Sequence, residues 1–176
     1  MNAKRRQRLR EDFERLEALC ELNKGLIHFK VLSLDNPPEQ YRVTLHCRGV
    51  WRDHGEVLEV DQHRIGIYLS QDYPEREPLL QWESPVFHPN IQAPGVCLFG
   101  RWNSSVRLDS VCVGLWDMAR YHLFSIDDKW NDAAAEWIKK GHRDFPVDRR
   151  TLVVPPPAEL DAVVGVGDVI RLEVPR

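Results

Sequence analysis

Cysteine is scarce in this chain: Cys20, Cys47, Cys97 and Cys112 lie far apart, and no Cys-x-x-Cys pair occurs. That excludes a dense disulfide framework and the usual spacings of a structural zinc site. The histidines do not fall at metal-ligand spacing with these cysteines, so neither a metal nor any other cofactor is expected. Also missing is an apolar run long enough to cross a bilayer, or an apolar secretory core at the N-terminus. The expectation is a soluble, cytoplasmic protein without membrane contact, in a reducing compartment where a free thiolate persists. Charge of one sign is not in excess either: the formal net charge is −3, which leaves no basic footprint for nucleic acid. No internal repeat is visible, and 176 residues suffice for one hydrophobic core rather than two.

What the chain does have is ordered. Residues 4 to about 23 read as a helix, with Leu9, Phe13, Leu16 and Cys20 at helical spacing and Leu19 beside them. Its other face is basic: Lys4, Arg5, Arg6, Arg8, Arg10 and Arg15. Leu26 to Leu34 reads as a first strand, closed by Asp35-Asn36-Pro37-Pro38. Tyr41, Val43, Leu45 and Cys47 alternate with polar residues as a second, which makes Cys47 a core residue. Gly49 to Gly55 reads as a turn region. Val57 to Val60 with Ile65, Ile67 and Leu69 reads as the third strand, and Leu79 to Trp82 as the fourth. Strands in succession without intervening helices predict an antiparallel meander. Leu108, Val111, Cys112, Leu115, Trp116 and Ala119 then mark an amphipathic helix. A last helix is predicted from about Asn131 to Lys140, with Trp130, Ala133, Ala134, Trp137 and Ile138 inward. The fold class is α+β, with a core over 1–140. Residues 141–176 form a C-terminal extension, packed on or beside that core, in which Thr151–Val154 and Asp168–Val174 read as short strands around a proline run.

Chemistry concentrates in His88-Pro89-Asn90-Ile91-Gln92-Ala93-Pro94-Gly95-Val96-Cys97-Leu98. A thiol follows an asparagine across a turn written by Pro89, Pro94 and Gly95, and such turns present side chains in a fixed geometry. Cys97 could act as a nucleophile, and a nearby amide could donate to a developing oxyanion. A free cysteine is otherwise simply a small buried apolar residue.

This stretch, with Trp102 and the helix that follows, closely resembles the active-site region of ubiquitin-conjugating enzymes. Asp72-Tyr73-Pro74 and Pro78 sit where that family has its Tyr-Pro-x-x-x-Pro segment, and the resemblance runs in order from about residue 5 to 140. It implies a UBC-like fold, with Tyr73–Pro74 as a cis bond. The implied activity is carriage of a ubiquitin-like protein as a thioester on Cys97, then transfer to the amine of a target lysine. Asn90 would stabilise the oxyanion or order the loop that permits it, while His88 serves packing and loop bonding. An acid near the thioester would come from Ser125-Ile126-Asp127-Asp128-Lys129-Trp130-Asn131, with Asp128 the choice and Asp127 the alternative. The basic first helix, through Arg5, Arg6 and Arg10, would dock an ATP-using activating enzyme.

Departures matter as well. Glu75 stands where ligase-using members commonly have phenylalanine, and Asn103-Ser104-Ser105 where they have Ser-Pro-Ala, so the usual ligase-docking surface is doubtful. The short interval from Cys97 to Trp102, in "VCLFGRW", is similar to the bacterial branch. Two alternatives stand beside this reading. One is a non-catalytic scaffold variant that binds a ubiquitin-like protein. The other is a cysteine hydrolase, for which no sequence signature names the histidine.

Overall fold

The computed structural model describes residues 3–98, 102–141 and 144–156. Helix α1 (Ala3–Leu22) buries Leu9, Leu16 and Leu19, with Phe13 and Cys20 partly covered on the same stripe. Asp12 is buried on that stripe too. Its carboxylate accepts from Tyr73 Oη at 2.6 Å, from Arg8 Nε at 2.7 Å, and from the N–H of Leu108 at 3.1 Å. Leu108 opens the helix α2 (Leu108–Ala119). Asp12 thus caps, from α1, a free donor that the start of α2 cannot satisfy internally.

Strands β1 (Ile27–Val31), β2 (Gln40–Leu45), β5 (His63–Tyr68) and β6 (Leu79–Trp82) form one antiparallel sheet in that order. Along β2, Tyr41, Val43 and Leu45 point inward while Arg42 is exposed. The inner face meets α1 and the stripe of α2, where Leu108, Val111, Cys112, Leu115, Trp116 and Ala119 are all buried. Cys47 is likewise in the core. This is an α+β arrangement with an N-terminal helix, a four-stranded antiparallel sheet and helices after it, as the resemblance implies.

Gly49–Gly55 is not a plain turn, and Val57–Val60 does not belong to the third sheet strand. They form a separate hairpin, β3 (Gly49–Asp53) with β4 (Glu56–Val60), inserted between β2 and β5. Its turn is His54-Gly55, both at positive φ. Gly49 marks a close approach rather than a bend: a methyl there would lie 2.6 Å from the buried His63 ring and 2.6 Å from the Ala119 carbonyl. In α3 (Asp132–Lys139), Ala134 and Ala135 are the buried pair, whereas Ala133 faces out. Trp130 precedes that helix and is half exposed.

The segment 144–156 is a strap, with no strand in it. The Val147 N–H donates to the Arg120 carbonyl at 2.9 Å, and Asp148 accepts from the Arg48 N–H at 2.9 Å. Trp116 Nε1 donates to the Arg150 carbonyl at 3.1 Å. Leu152 is buried, and Val153 is bonded both ways by the Asn23 side chain, at 2.7 and 2.8 Å. Thr151–Val154 therefore finds its partners in side chains rather than in a sheet. Asp168–Val174 lies outside the described residues. Tyr73–Pro74 is cis.

Candidate functional site

After β6 the chain makes a two-stranded turn, β7 (Ile91–Gln92) with β8 (Gly95–Val96), and Cys97 follows directly. The turn is moored to the sheet where the Trp82 N–H donates to the Pro94 carbonyl at 2.8 Å. The Cys97 N–H donates to the backbone carbonyl of Asn90 at 2.9 Å, which fixes the thiol relative to the asparagine. Cys97 is half-buried, and its Sγ faces the Leu98 carbonyl at 3.8 Å. Burial pushes the thiol above its ordinary pKa, and the carboxylates of Asp128 and then Glu77 add to the rise. Among the described residues no cation enters that balance.

Asn90 is fully buried. Its Nδ2 donates to the carbonyls of Ser125 and Asp128, each at 3.0 Å, and its Oδ1 accepts from the Ser125 N–H at 2.8 Å. Ser125 Oγ in turn accepts from the Asp128 N–H at 3.1 Å. Both N–H donors of the asparagine side chain are thus spent on the 125–128 loop. Asp128, exposed at the end of that loop, acts on the Cys97 thiol, whereas the charge of Asp127 is felt by Lys139.

His88 is buried between these parts. Its Nδ1 accepts from the Asn90 N–H at 3.1 Å, so the proton sits on Nε2 and points to the Leu123 carbonyl at 3.2 Å. Burial, helped by His63, holds its pKa down to about 3 against the pull of the Leu123 bond. A ring held neutral in this way bonds the Asn90 N–H through one nitrogen and the Leu123 carbonyl through the other.

The loop's entry angle is set at the end of α2. The Tyr121 N–H donates to the Met118 carbonyl at 3.0 Å, and the His122 N–H to the Asp117 carbonyl at 2.8 Å, with Tyr121 at φ +61°. That is a Schellman stop with tyrosine in the left-handed position usually held by glycine, a conformation that costs about 1–2 kcal/mol. The ring offsets the cost by burial: it stacks on Phe145 at 5.1 Å and meets His88 at 4.9 Å edge-on, and its hydroxyl donates to the Phe87 carbonyl. Trp137 of α3 closes this aromatic cluster, 6.0 Å from Tyr121.

Of the three arginines singled out on α1, Arg5 turns inward. It donates to Glu39 at 2.5 Å and to the Ser70 carbonyl at 2.7 Å. Arg8 and Arg15 are engaged similarly, by Asp12 at 2.7 Å and by Asp109 at 2.7 Å. Arg6 and Arg10 are exposed, and with Ala3, Gln7 and Glu11 they line a shallow groove on the outer side of the helix. Among the described residues no three His, Cys, Asp or Glu side chains are grouped to hold a metal ion, and no helix is long and apolar enough to cross a membrane.

Sequence reasoning missed Glu77, the role of Ser125, and the placement of Trp130. The Trp130 and Asn131 N–H groups both donate to the Pro89 carbonyl, at 2.7 and 2.9 Å. The indole lies on Gly95, where a methyl would come within 3.0 Å of Cζ3. The glycine between Asn90 and Cys97 was the available signal: it leaves room for a ring.

The family model described as ubiquitin-conjugating enzyme matches residues 48–151, more than half of the chain. Over 71 residues the chain is 28% identical to the SUMO-conjugating enzyme UBC9 of Caenorhabditis elegans, a match that covers 37% of this chain and 43% of that protein. The fold is similar to the solved E2 domain of a Toxoplasma gondii ubiquitin conjugating enzyme. That likeness has a TM-score of 0.52 at 17% identity and covers 75% of this chain and 88% of the other.

Proposed function

The chain belongs to the ubiquitin-conjugating enzyme family, and from that premise we propose that Cys97 carries a ubiquitin-like protein as a thioester and passes it to a lysine amine of a target. The observation that carries this reading is the double use of Asn90: its backbone carbonyl holds the Cys97 N–H, and its side chain holds the loop that ends in Asp128. One residue ties the nucleophile to the acid.

In the first step Sγ attacks the modifier's carbonyl carbon, which reaches it as a thioester on an activating enzyme that has used ATP. The new S–C bond forms, and the activating enzyme's thiolate leaves. Because burial and two carboxylates disfavour the thiolate, deprotonation is part of this barrier, and charging accelerates as pH rises. In the second step those carboxylates become an advantage. They draw in the lysine as its ammonium, one proton is lost to solvent to give the neutral amine, and Asp128 takes the second as the nitrogen attacks and Sγ departs as thiolate. Asn90 serves this step by holding Asp128 in place rather than by offering a free N–H to the oxyanion.

Arg6 and Arg10 are the proposed contacts for the activating enzyme, with Arg5 bracing the helix behind them. Exposed charges of this kind govern encounter rate and partner choice. The short Cys97–Trp102 interval supports membership of the bacterial branch, and four unpaired cysteines support a reducing, cytoplasmic setting. The test is incubation with activating enzyme, ATP and ubiquitin-like protein. We expect an adduct on wild-type protein that reductant cleaves, a reductant-resistant ester at most on Cys97→Ser, and none on Cys97→Ala. An equally labile adduct on Cys97→Ala overturns the assignment, and a modifier bound without any covalent adduct favours the scaffold reading.

A further inference from the structure

Trp130 is half exposed, at 50%, in a region where the other rings are packed together. Phe87, Tyr121, Trp137 and Phe145 pack on one another, but Trp130 stands apart, seated on Gly95 and held by its backbone at Pro89. Cys97 lies two residues beyond Gly95 on the same run of chain. Asp128, whose charge acts on the thiol, lies two residues before Trp130. The neighbouring cation does not compete for that charge, since Lys129 turns to Asp132 at 3.6 Å. Glu77 adds negative potential at the thiol. An exposed indole two residues along the chain from an exposed carboxylate matches a cation on an apolar stem, with methylenes on the ring and the ammonium drawn to the oxygens.

We propose that Trp130 is a positioning residue for the acceptor, its indole receiving the methylene stem of the incoming lysine and so setting a preference for amines carried on an unbranched apolar chain. This rests on the reading of Cys97 above. The step itself is aminolysis: the amine nitrogen bonds to the thioester carbonyl, the C–S bond breaks, Sγ leaves as thiolate, and the nitrogen gives up one proton.

The test uses a short peptide thioester of mercaptoethanesulfonate, ending in glycine, to acylate Cys97 in a Cys20→Ser background. Discharge to methylamine and to butylamine is then followed by intact mass. The two amines are of nearly equal basicity and differ in the stem. Wild type should prefer butylamine by about 5-fold, the order expected for a few partly covered methylenes and an aromatic–cation contact. Trp130→Ala should bring the butylamine-to-methylamine ratio to about one through a rise in KM for butylamine, while Trp130→Phe should keep part of the preference. An equal loss with both amines means that Trp130 acts on the loop or the thioester, and overturns the proposal. So does an undiminished preference in Trp130→Ala. Failure of the peptide thioester to acylate Cys97 in the wild type is a separate result. It overturns the reading of Cys97, and this inference with it.

Discussion

Replacing Asn90 by alanine separates ordering of the acid loop from direct chemistry. The substitution removes three hydrogen bonds at a fully buried site, two from Nδ2 and one to Oδ1. Each contributes a net of about 0.5–1.5 kcal/mol, so together they hold the 125–128 loop by about 2–4 kcal/mol. With each factor of ten in population equivalent to about 1.4 kcal/mol, losing them lowers the share of molecules with Asp128 in position by about 10²-fold. Discharge of a preformed Cys97 thioester to lysine should slow by that order. Charging should change little, because the Cys97 N–H still meets the backbone carbonyl of residue 90. The decisive assay pairs single-turnover discharge with amide hydrogen exchange. The Ser125 N–H, which donates to Oδ1, should lose its protection along with that of Asp128. If discharge slows while both amides stay protected, the loop argument is refuted and the side chain acts directly on the oxyanion. If neither changes, Asn90 is a turn residue only.

Other outcomes follow from the same geometry. Iodoacetamide should alkylate Cys97 with a pH midpoint above the ordinary thiol value, and Asp128→Asn and Glu77→Gln should each lower that midpoint, since both carboxylates raise it. Gly95→Ala should displace the Trp130 ring, whose Cζ3 lies 3.0 Å from where the new methyl would sit, seen as a shift in tryptophan emission at little cost in thermal stability. The combined Arg6→Glu, Arg10→Glu variant should charge more slowly at low salt and approach wild type as salt screens the contact; unchanged charging at low salt would place the partner elsewhere. Arg5→Glu should instead lower the unfolding midpoint, because it breaks the Glu39 pair and the Ser70 bond. His88 and His63, held near 3 and 4 by burial, bind protons more readily when unfolded. Stability should therefore be full above about pH 6.5 and fall progressively below it, as a urea titration at several pH values would report.

The sequence disclosed what depends on short spacing. The stripes of α1 and α2, the alternation of β2, and the core positions of Cys47 and Cys112 are all periodic signals, and the structure has them. It hid what depends on distant partners. Arg5, Arg8 and Arg15 read as one basic face, yet Glu39, Asp12 and Asp109 draw them in, and two of those partners are remote in the chain. Gly49 read as a turn because glycine usually marks one. Its real reason, the His63 ring above it, sits on a strand with which it does not pair. In the site, resemblance identified Asn90 but left two roles open, and only the fold shows both N–H groups of its side chain engaged by the 125–128 loop. Trp130 fell on the helical period of α3 and was assigned inward; the pair of bonds to the Pro89 carbonyl holds it before the helix begins.

The strap over 144–156 has a mechanical consequence. A pull applied to the chain at Pro156 meets Arg15, which donates to the Pro156 carbonyl at 3.2 Å, and then the paired bonds of Asn23 to Val153. Next in line come Trp116 at Arg150 and Arg48 at Asp148, so the load passes into α1, α2 and the start of the β3 hairpin. It is spent on these clasps before it can tug at Phe145, the ring through which the strap touches the cluster under His88. The loop that carries Cys97 is in this way strain-relieved, as a cable clamped at its housing spares the joint inside.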